Sequence, residues 1–186
     1  MDIRATAIPE VKVITPARYG DHRGFFSEVY NKRVLAEAGI KADFIQDNQA
    51  FSAQRGTLRG LHFQKPPATQ AKLLRVLRGR VVDVAVDCRV GAPTFGRHVM
   101  VELSASDGTQ VFCPRGFAHA VMTVEPDTEV TYKVDAYFAP ELEAGIRWDD
   151  PDLAIAWPIP SNEVILSDKD RAWPLLRELP PVFHYP

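Results

Sequence analysis

What most constrains this chain is its punctuation. Its 15 prolines and 11 glycines are scattered along all 186 residues rather than gathered in one tract. Proline cannot continue a helix interior or a central strand, and glycine favours turns, so the runs between them are short. Glu129-Val130-Thr131-Tyr132-Lys133-Val134 alternates in the manner of a half-buried strand. Ile8 to Ile14 reads as a first strand. Lys72 to Leu77 and Val81 to Val86 flank Arg78-Gly79-Arg80 and read as a hairpin. His98 to Ala105 and Thr109 to Cys113, on either side of Ser106-Asp107-Gly108, read as another. Two short helices are expected. Asn31 caps one over Lys32 to Ala38, ended by Gly39, and Ser167-Asp168-Lys169-Asp170 has the form of a capping box for the second. Many short strands with few peripheral helices predict an all-β sandwich or jelly-roll barrel, whose mouth is a natural ligand site. The length suits one domain spanning residues 1–186.

Composition removes several functions. The net charge of −2 gives no basic field for nucleic acid, so an anionic ligand would need local arginines and lysines. No segment approaches the roughly 18 apolar residues of a membrane span. The residues after Met1 contain no apolar run of the signal-peptide kind. Cys88 and Cys113 suggest no disulfide framework, and a reduced cytoplasmic setting is the expectation.

Strand phase singles out the first chemical candidates. Tyr132 shares a face with Val130 and Val134 and therefore points inward. Lys72 shares a face with Leu74 and Val76. An inward lysine is costly without a partner; it is either a rim lysine that snorkels to water or a functional cation. Gly56-Thr57-Leu58-Arg59-Gly60-Leu61-His62-Phe63-Gln64 concentrates an arginine and a histidine. Strict alternation puts Arg59 and His62 on opposite faces, unless Gly60 marks a bulge that changes the phase. His62, taken alone, reads better as a hydrogen-bonded structural histidine; His119 has the same alternative, and its flanks are apolar on both faces, so phase decides nothing there. Arg23 and Glu28 frame Gly24-Phe25-Phe26-Ser27. That stretch is either a solvated turn or a phosphate-gripping arginine beside rings that stack on a base. A metal is not expected. His62-Phe63-Gln64 lacks the His-x-His pair of metal-binding barrels, and His62 with His119 leaves a site short of three protein ligands.

Taken in order, these pieces resemble one family. Asp21 to Glu28, Gln46-Asp47-Asn48-Gln49, Leu58 to Gln64 and Lys72 come first. Pro114 to His119, Tyr132-Lys133, Gly145 to Pro151 and Leu166 to Asp170 follow. The series is similar to the dTDP-4-dehydrorhamnose 3,5-epimerases and covers nearly the whole chain. The resemblance implies a cupin-type jelly roll, a homodimer, no cofactor and a place in dTDP-L-rhamnose synthesis. The substrate it implies is dTDP-4-dehydro-6-deoxy-D-glucose. Two departures stand out. Ala120 occupies a position usually held by glycine, and Phe138 stands where a tyrosine often stacks on thymine, with Tyr137 adjacent.

The implied chemistry needs no redox cofactor, because a C4 ketone acidifies the hydrogens at C3 and C5. It needs a base, an acid on the opposite face and a cation near the developing oxyanion. Imidazole titrates near neutrality, which suits His62 to the base; Asp170 is expected to orient it. Tyr132 suits the acid and Lys72 the oxyanion, as the family assigns them. The resemblance further implies that Arg23, Phe26, Arg59 and the Asp47-Asn48-Gln49 stretch hold the nucleotide. Glu28, His119, Phe138, Glu143 and Lys169 complete the expected substrate contacts. Enzymes that invert only C3 or only C5 share most of these motifs. A non-catalytic sugar-binding jelly roll and a metal-dependent cupin oxygenase are the more distant alternatives.

Overall fold

A computed structural model describes residues 1–185. The N-terminal region contributes β1 (Asp2–Ala5), β2 (Lys12–Thr15), β3 (Tyr19–Asp21), β4 (Gly24–Phe26) and helix α1 (Lys32–Glu37). The central strands are β5 (Gln46–Ser52), β6 (Leu58–Gln64), β7 (Lys72–Arg78), β8 (Arg80–Asp87) and β9 (Arg89–Val90). β10 (His98–Ser104), β11 (Gln110–Cys113), β12 (Phe117–Thr123), β13 (Thr128–Val134) and β14 (Glu143–Gly145) follow. Helix α2 (Asp168–Arg171) and β15 (Phe183–His184) close the chain.

A six-stranded sheet in the order β1-β2-β11-β7-β13-β5 and a five-stranded sheet in the order β10-β8-β12-β6-β14 carry the fold. Their pairings are antiparallel. The two sheets are separate hydrogen-bonded units, so the jelly roll is an open sandwich rather than a closed barrel. Both expected hairpins are overturned. β7 belongs to the six-stranded sheet and β8 to the five-stranded one, so Gly79 turns the chain from sheet to sheet. β10 and β11 are likewise divided. Apolar runs and turn residues mark where strands end but carry no record of which neighbour each strand pairs with.

The expected first strand is also revised. Pro9 cannot supply a ladder N–H, and Ile8 to Val11 form a turn closed by the Val11 N–H donating to the Ile8 carbonyl at 2.9 Å. The side chains of Ile8 and Val11 are buried in the core between the sheets. That core brings Leu74, Val76 and Val130 of one sheet against Val81, Ala85, Leu103 and Val121 of the other. Burying one such side chain contributes about 1.5–3 kcal/mol.

Both outer faces are covered as well. Helix α1 starts where Asn31 accepts the N–H groups of Arg33 and Val34, and Leu35 then packs with Ile40 on Ile14, Leu73 and Phe112. This explains why Leu73 and Leu74 are both buried although they face opposite ways. The C-terminal segment covers Val82, Val84 and Val86 with Leu153 and Phe183. It also delivers α2 to the edge of the site.

Candidate active site

Alternation along β13 and β7 turns Tyr132 and Lys72 toward the space between the sheets. From the facing sheet, β6 supplies Arg59 and His62 to the same space. Gly60 makes that possible. Where β6 meets β12, His62 pairs with His119 and Arg59 with Val121, so Gly60 and Leu61 stand opposite Ala120 alone. The bulge restores both polar side chains to one face. Gly60 has φ of +136°, and a Cβ there would lie 2.4 Å from the Ala120 Cβ. The alanine that departs from the usual glycine is thus accommodated by the glycine opposite it.

The resulting recess, about 80 Å³, is lined by His62, Lys72, His119, Tyr132 and Arg59 above an apolar floor of Leu74, Val121 and Val130. It opens into a mouth of about 320 Å³ that shares His62, Lys72 and Tyr132 and adds Gln46, Asn48, Gln64, Phe138 and Glu143. Of the two neighbouring aromatic residues, Phe138 lines this mouth.

Both histidines are committed to carboxylates. His62 Nε2 donates to Asp170 Oδ1. The Ser167 hydroxyl donates to Asp170 Oδ2 at 2.8 Å, and the Trp173 indole N–H donates to Oδ1 at 3.3 Å. Burial works to raise Asp170, but the bonds from His62, Ser167 and Trp173 outweigh it and hold the carboxyl below its ordinary value. An ionised Asp170 requires the proton on His62 Nε2, which leaves Nδ1 as the basic nitrogen. His119 Nε2 donates to Asp83 Oδ2 at 2.8 Å, diagonally across β8 and β12. Asp83 Oδ1 is buried and has no hydrogen-bond partner among the described residues.

Lys72 lies in this field. Burial pushes its ammonium below the ordinary lysine value, while Cys113, Asp83 and Glu143 act in the opposite sense. Burial likewise raises the Tyr132 phenol, against the pull of Arg59 and with the help of Glu143. A raised phenol keeps its proton until a stronger base appears, as an acid catalyst must.

The remaining expected residues separate by location. Glu143 accepts Lys169 Nζ at 2.8 and 2.9 Å at the rim. In β5, alternation sends Asn48 to the mouth and Asp47 and Gln49 to the other face, where they meet Lys133 and Glu129. Glu28 and Asp47 line a groove on that outer face. Arg23 is bound to Asp21 on the β3–β4 ribbon, and Phe26 is 71% exposed there. Neither lines the recess or its mouth. Asp83, Gln46, Gln64 and Trp173 were not anticipated. Asp83 did carry a signal, as the sole charge within Val81-Val82-Asp83-Val84-Ala85-Val86. Among the described residues no group of three or more His, Cys, Asp or Glu side chains could hold a metal ion.

The family model described as dTDP-4-dehydrorhamnose 3,5-epimerase matches residues 5–178. This chain belongs to that family. As a member of the dTDP-4-dehydrorhamnose 3,5-epimerases it is an isomerase. A dTDP-4-dehydrorhamnose 3,5-epimerase from Sinorhizobium fredii is 46% identical over 185 residues, covering 100% of this chain and 94% of its own. A dTDP-6-deoxy-D-glucose-3,5-epimerase from Legionella pneumophila, solved with dTDP-4-keto-L-rhamnose, superposes with a TM-score of 0.94 at 45% identity. The match covers 100% of this chain and 98% of that one. A 3'-monoepimerase from Streptomyces bikiniensis, a double mutant in complex with dTDP, has a TM-score of 0.89 at 34% identity. That match covers 98% of this chain and 92% of the other.

Proposed function

We propose that this epimerase inverts C3 and C5 of dTDP-4-dehydro-6-deoxy-D-glucose and yields dTDP-4-dehydro-L-rhamnose. One observation carries the residue roles: His62 and Tyr132 enter one recess from opposite sheets, with Lys72 beside them. His62 Nδ1 takes the proton from the carbon next to the ketone. The C–H electron pair becomes the C–C bond of an enolate, and negative charge moves onto the C4 oxygen. Lys72 stabilises that oxygen, and preorganised cations in a partly dry site act strongly at this point. Tyr132 then gives its phenolic proton to the opposite face of the same carbon, and the carbonyl re-forms. The proton on His62 and the vacancy on Tyr132 are exchanged with solvent before the second carbon reacts. Asp170 stabilises the imidazolium formed in each round.

Asn48, Arg59, His119, Phe138, Glu143 and Lys169 would meet the substrate from the mouth and recess. The charge of the nucleotide diphosphate suits Arg59, and the exposed ring of Phe138 suits base stacking. The molecule acts as a single domain and as a homodimer. Arg23, Phe26, Glu28, Asp47 and Gln49 lie away from their own protomer's recess, and in the dimer we assign them to nucleotide contacts across the interface. No helix of the described residues is long and apolar enough to cross a membrane. The nucleotide-sugar substrate and two free, buried cysteines fit a cytoplasmic setting.

A C3-only epimerase is the second reading, because a 3'-monoepimerase shares this fold at 34% identity. Turnover in deuterated water, followed by proton NMR, separates the two. The double epimerase places deuterium at C3 and C5 with inversion at both. Deuterium and inversion at one carbon alone would establish the second reading.

A further inference from the structure

The carboxylate of the dyad is held by more than its imidazole. Asp170 Oδ1 receives both His62 Nε2 and, at 3.3 Å, the indole N–H of Trp173. The Trp173 ring also meets the His62 ring edge-on, with centroids 6.1 Å apart and planes at 72°. One side chain therefore touches both members of the dyad, and it lines neither the recess nor its mouth. A missing side chain makes its place. Gly145 is the cross-strand partner of His62, and a Cβ there would lie 2.7 Å from Trp173 Nε1 and from Cε2. Just beyond, the Arg147 N–H donates to the Pro174 carbonyl at 2.8 Å and ties the indole's own segment to the end of β14.

We propose that Trp173 is a positioning residue for the catalytic base. Its N–H and its ring fix Asp170 and His62 in the mutual geometry that proton abstraction requires. The inference rests on the reading of His62 as the base. An indole nitrogen can only donate, so it serves a carboxylate oxygen and has no alternative role there. With Ser167 holding Oδ2 and Trp173 sharing Oδ1, the carboxylate has no freedom to turn away from the imidazole. Removing the N–H leaves Oδ1 with His62 alone. Apart from His62 itself, the groups that line the substrate cavities are untouched, so the loss falls on turnover rather than on binding.

Trp173→Phe, assayed with dTDP-4-dehydro-6-deoxy-D-glucose in deuterated water, tests this. We expect kcat and the rate of deuterium uptake to fall together by about tenfold, the scale of one hydrogen bond to a charged group. KM should stay within about twofold. Normal kcat and normal uptake would overturn the proposal. So would a raised KM with normal kcat, which would make the indole a binding group. A second measurement keeps Trp173 in place and decides the matter if the phenylalanine variant does not fold. In the 1H–15N indole spectrum, Asp170→Asn should move the Trp173 N–H resonance more than those of Trp148 and Trp157. An unmoved Trp173 resonance would refute the bond and the proposal with it. His62→Asn is the control on the parent reading. If it retains deuterium uptake, the base assignment itself fails; if uptake vanishes while Trp173→Phe is normal, the positioning role alone fails.

Discussion

His62 and Tyr132 are expected to fail in different ways when each is removed. His62→Ala should abolish proton abstraction, so deuterium uptake from solvent nearly vanishes along with inversion. Tyr132→Phe leaves the base and Lys72 in place, so the enolate still forms and His62 returns a deuteron to the face it came from. Uptake should then persist while inversion drops by about 100- to 10,000-fold, the range for one acid or base group. Inversion at the normal rate in Tyr132→Phe would remove the tyrosine from its role. Asp83 makes a second case. It favours the Lys72 ammonium, which burial already disfavours. A basic limb in the kcat/KM profile that reports loss of the Lys72 proton should lie below the ordinary lysine value of about 10.4. In Asp83→Asn the favouring charge is gone, so that limb should move to still lower pH; an unmoved limb would show that Asp83 does not govern Lys72. The inward direction of Tyr132 and Lys72 was legible from alternation alone. The lone charge of Asp83 marked it as unusual, but its role and that of Trp173 were not legible, because they depend on a diagonal neighbour on β12 and on a carboxylate paired with a histidine 108 residues away. Nor could adjacency in Asp47-Asn48-Gln49 reveal that a strand divides those three between two faces.

At the scale of elements, β6 works only because its bulge is glycine. Gly60→Ala places a methyl group against the Ala120 Cβ, Ala120 Cα and the His119 carbonyl, and φ of +136° is hostile to any side chain. Strain of this kind costs about 1–3 kcal/mol, and the overlap adds to it. We expect a clear fall in melting temperature together with lost turnover, since any shift of register separates Arg59 from His62. A variant with the parent's melting temperature and rate would mean that the bulge tolerates a side chain. Helix α1 offers a milder comparison, where Asn31→Ala removes the cap and should cost about 1 kcal/mol of stability, read as a small fall in melting temperature. That helix and α2 were legible because caps are local. The partners of β7, β8, β10 and β11 were not, because a turn that crosses between sheets uses the same glycines as a hairpin.

For the whole molecule, the exposed β3–β4 ribbon is the feature that most needs a partner. Tyr19, Phe25 and Phe26 are 67%, 62% and 71% exposed, an apolar display that isolated domains seldom keep. Light scattering at micromolar concentration should return the mass of a dimer, and a monomer would leave the ribbon and its Arg23 without the role proposed for them. Turnover should also survive exhaustive chelation, because His62 and His119 leave a site short of three protein ligands and, among the described residues, no group of three or more His, Cys, Asp or Glu side chains could complete it; loss restored by a single metal would refute the proton-transfer mechanism as drawn. The path of the chain has one more consequence. His62 lies on a central strand, but the carboxylate that completes it arrives 108 residues later, on a segment laid over the outside of the second sheet. Both sheets of the sandwich are already encoded when synthesis passes β14. A nascent chain at that stage would carry the lysine and the tyrosine, yet its imidazole would lack Asp170, the carboxylate proposed to aim it. On the proposed roles competence therefore arrives last, and a translation product cut short before α2 would lack the carboxylate that aims the base.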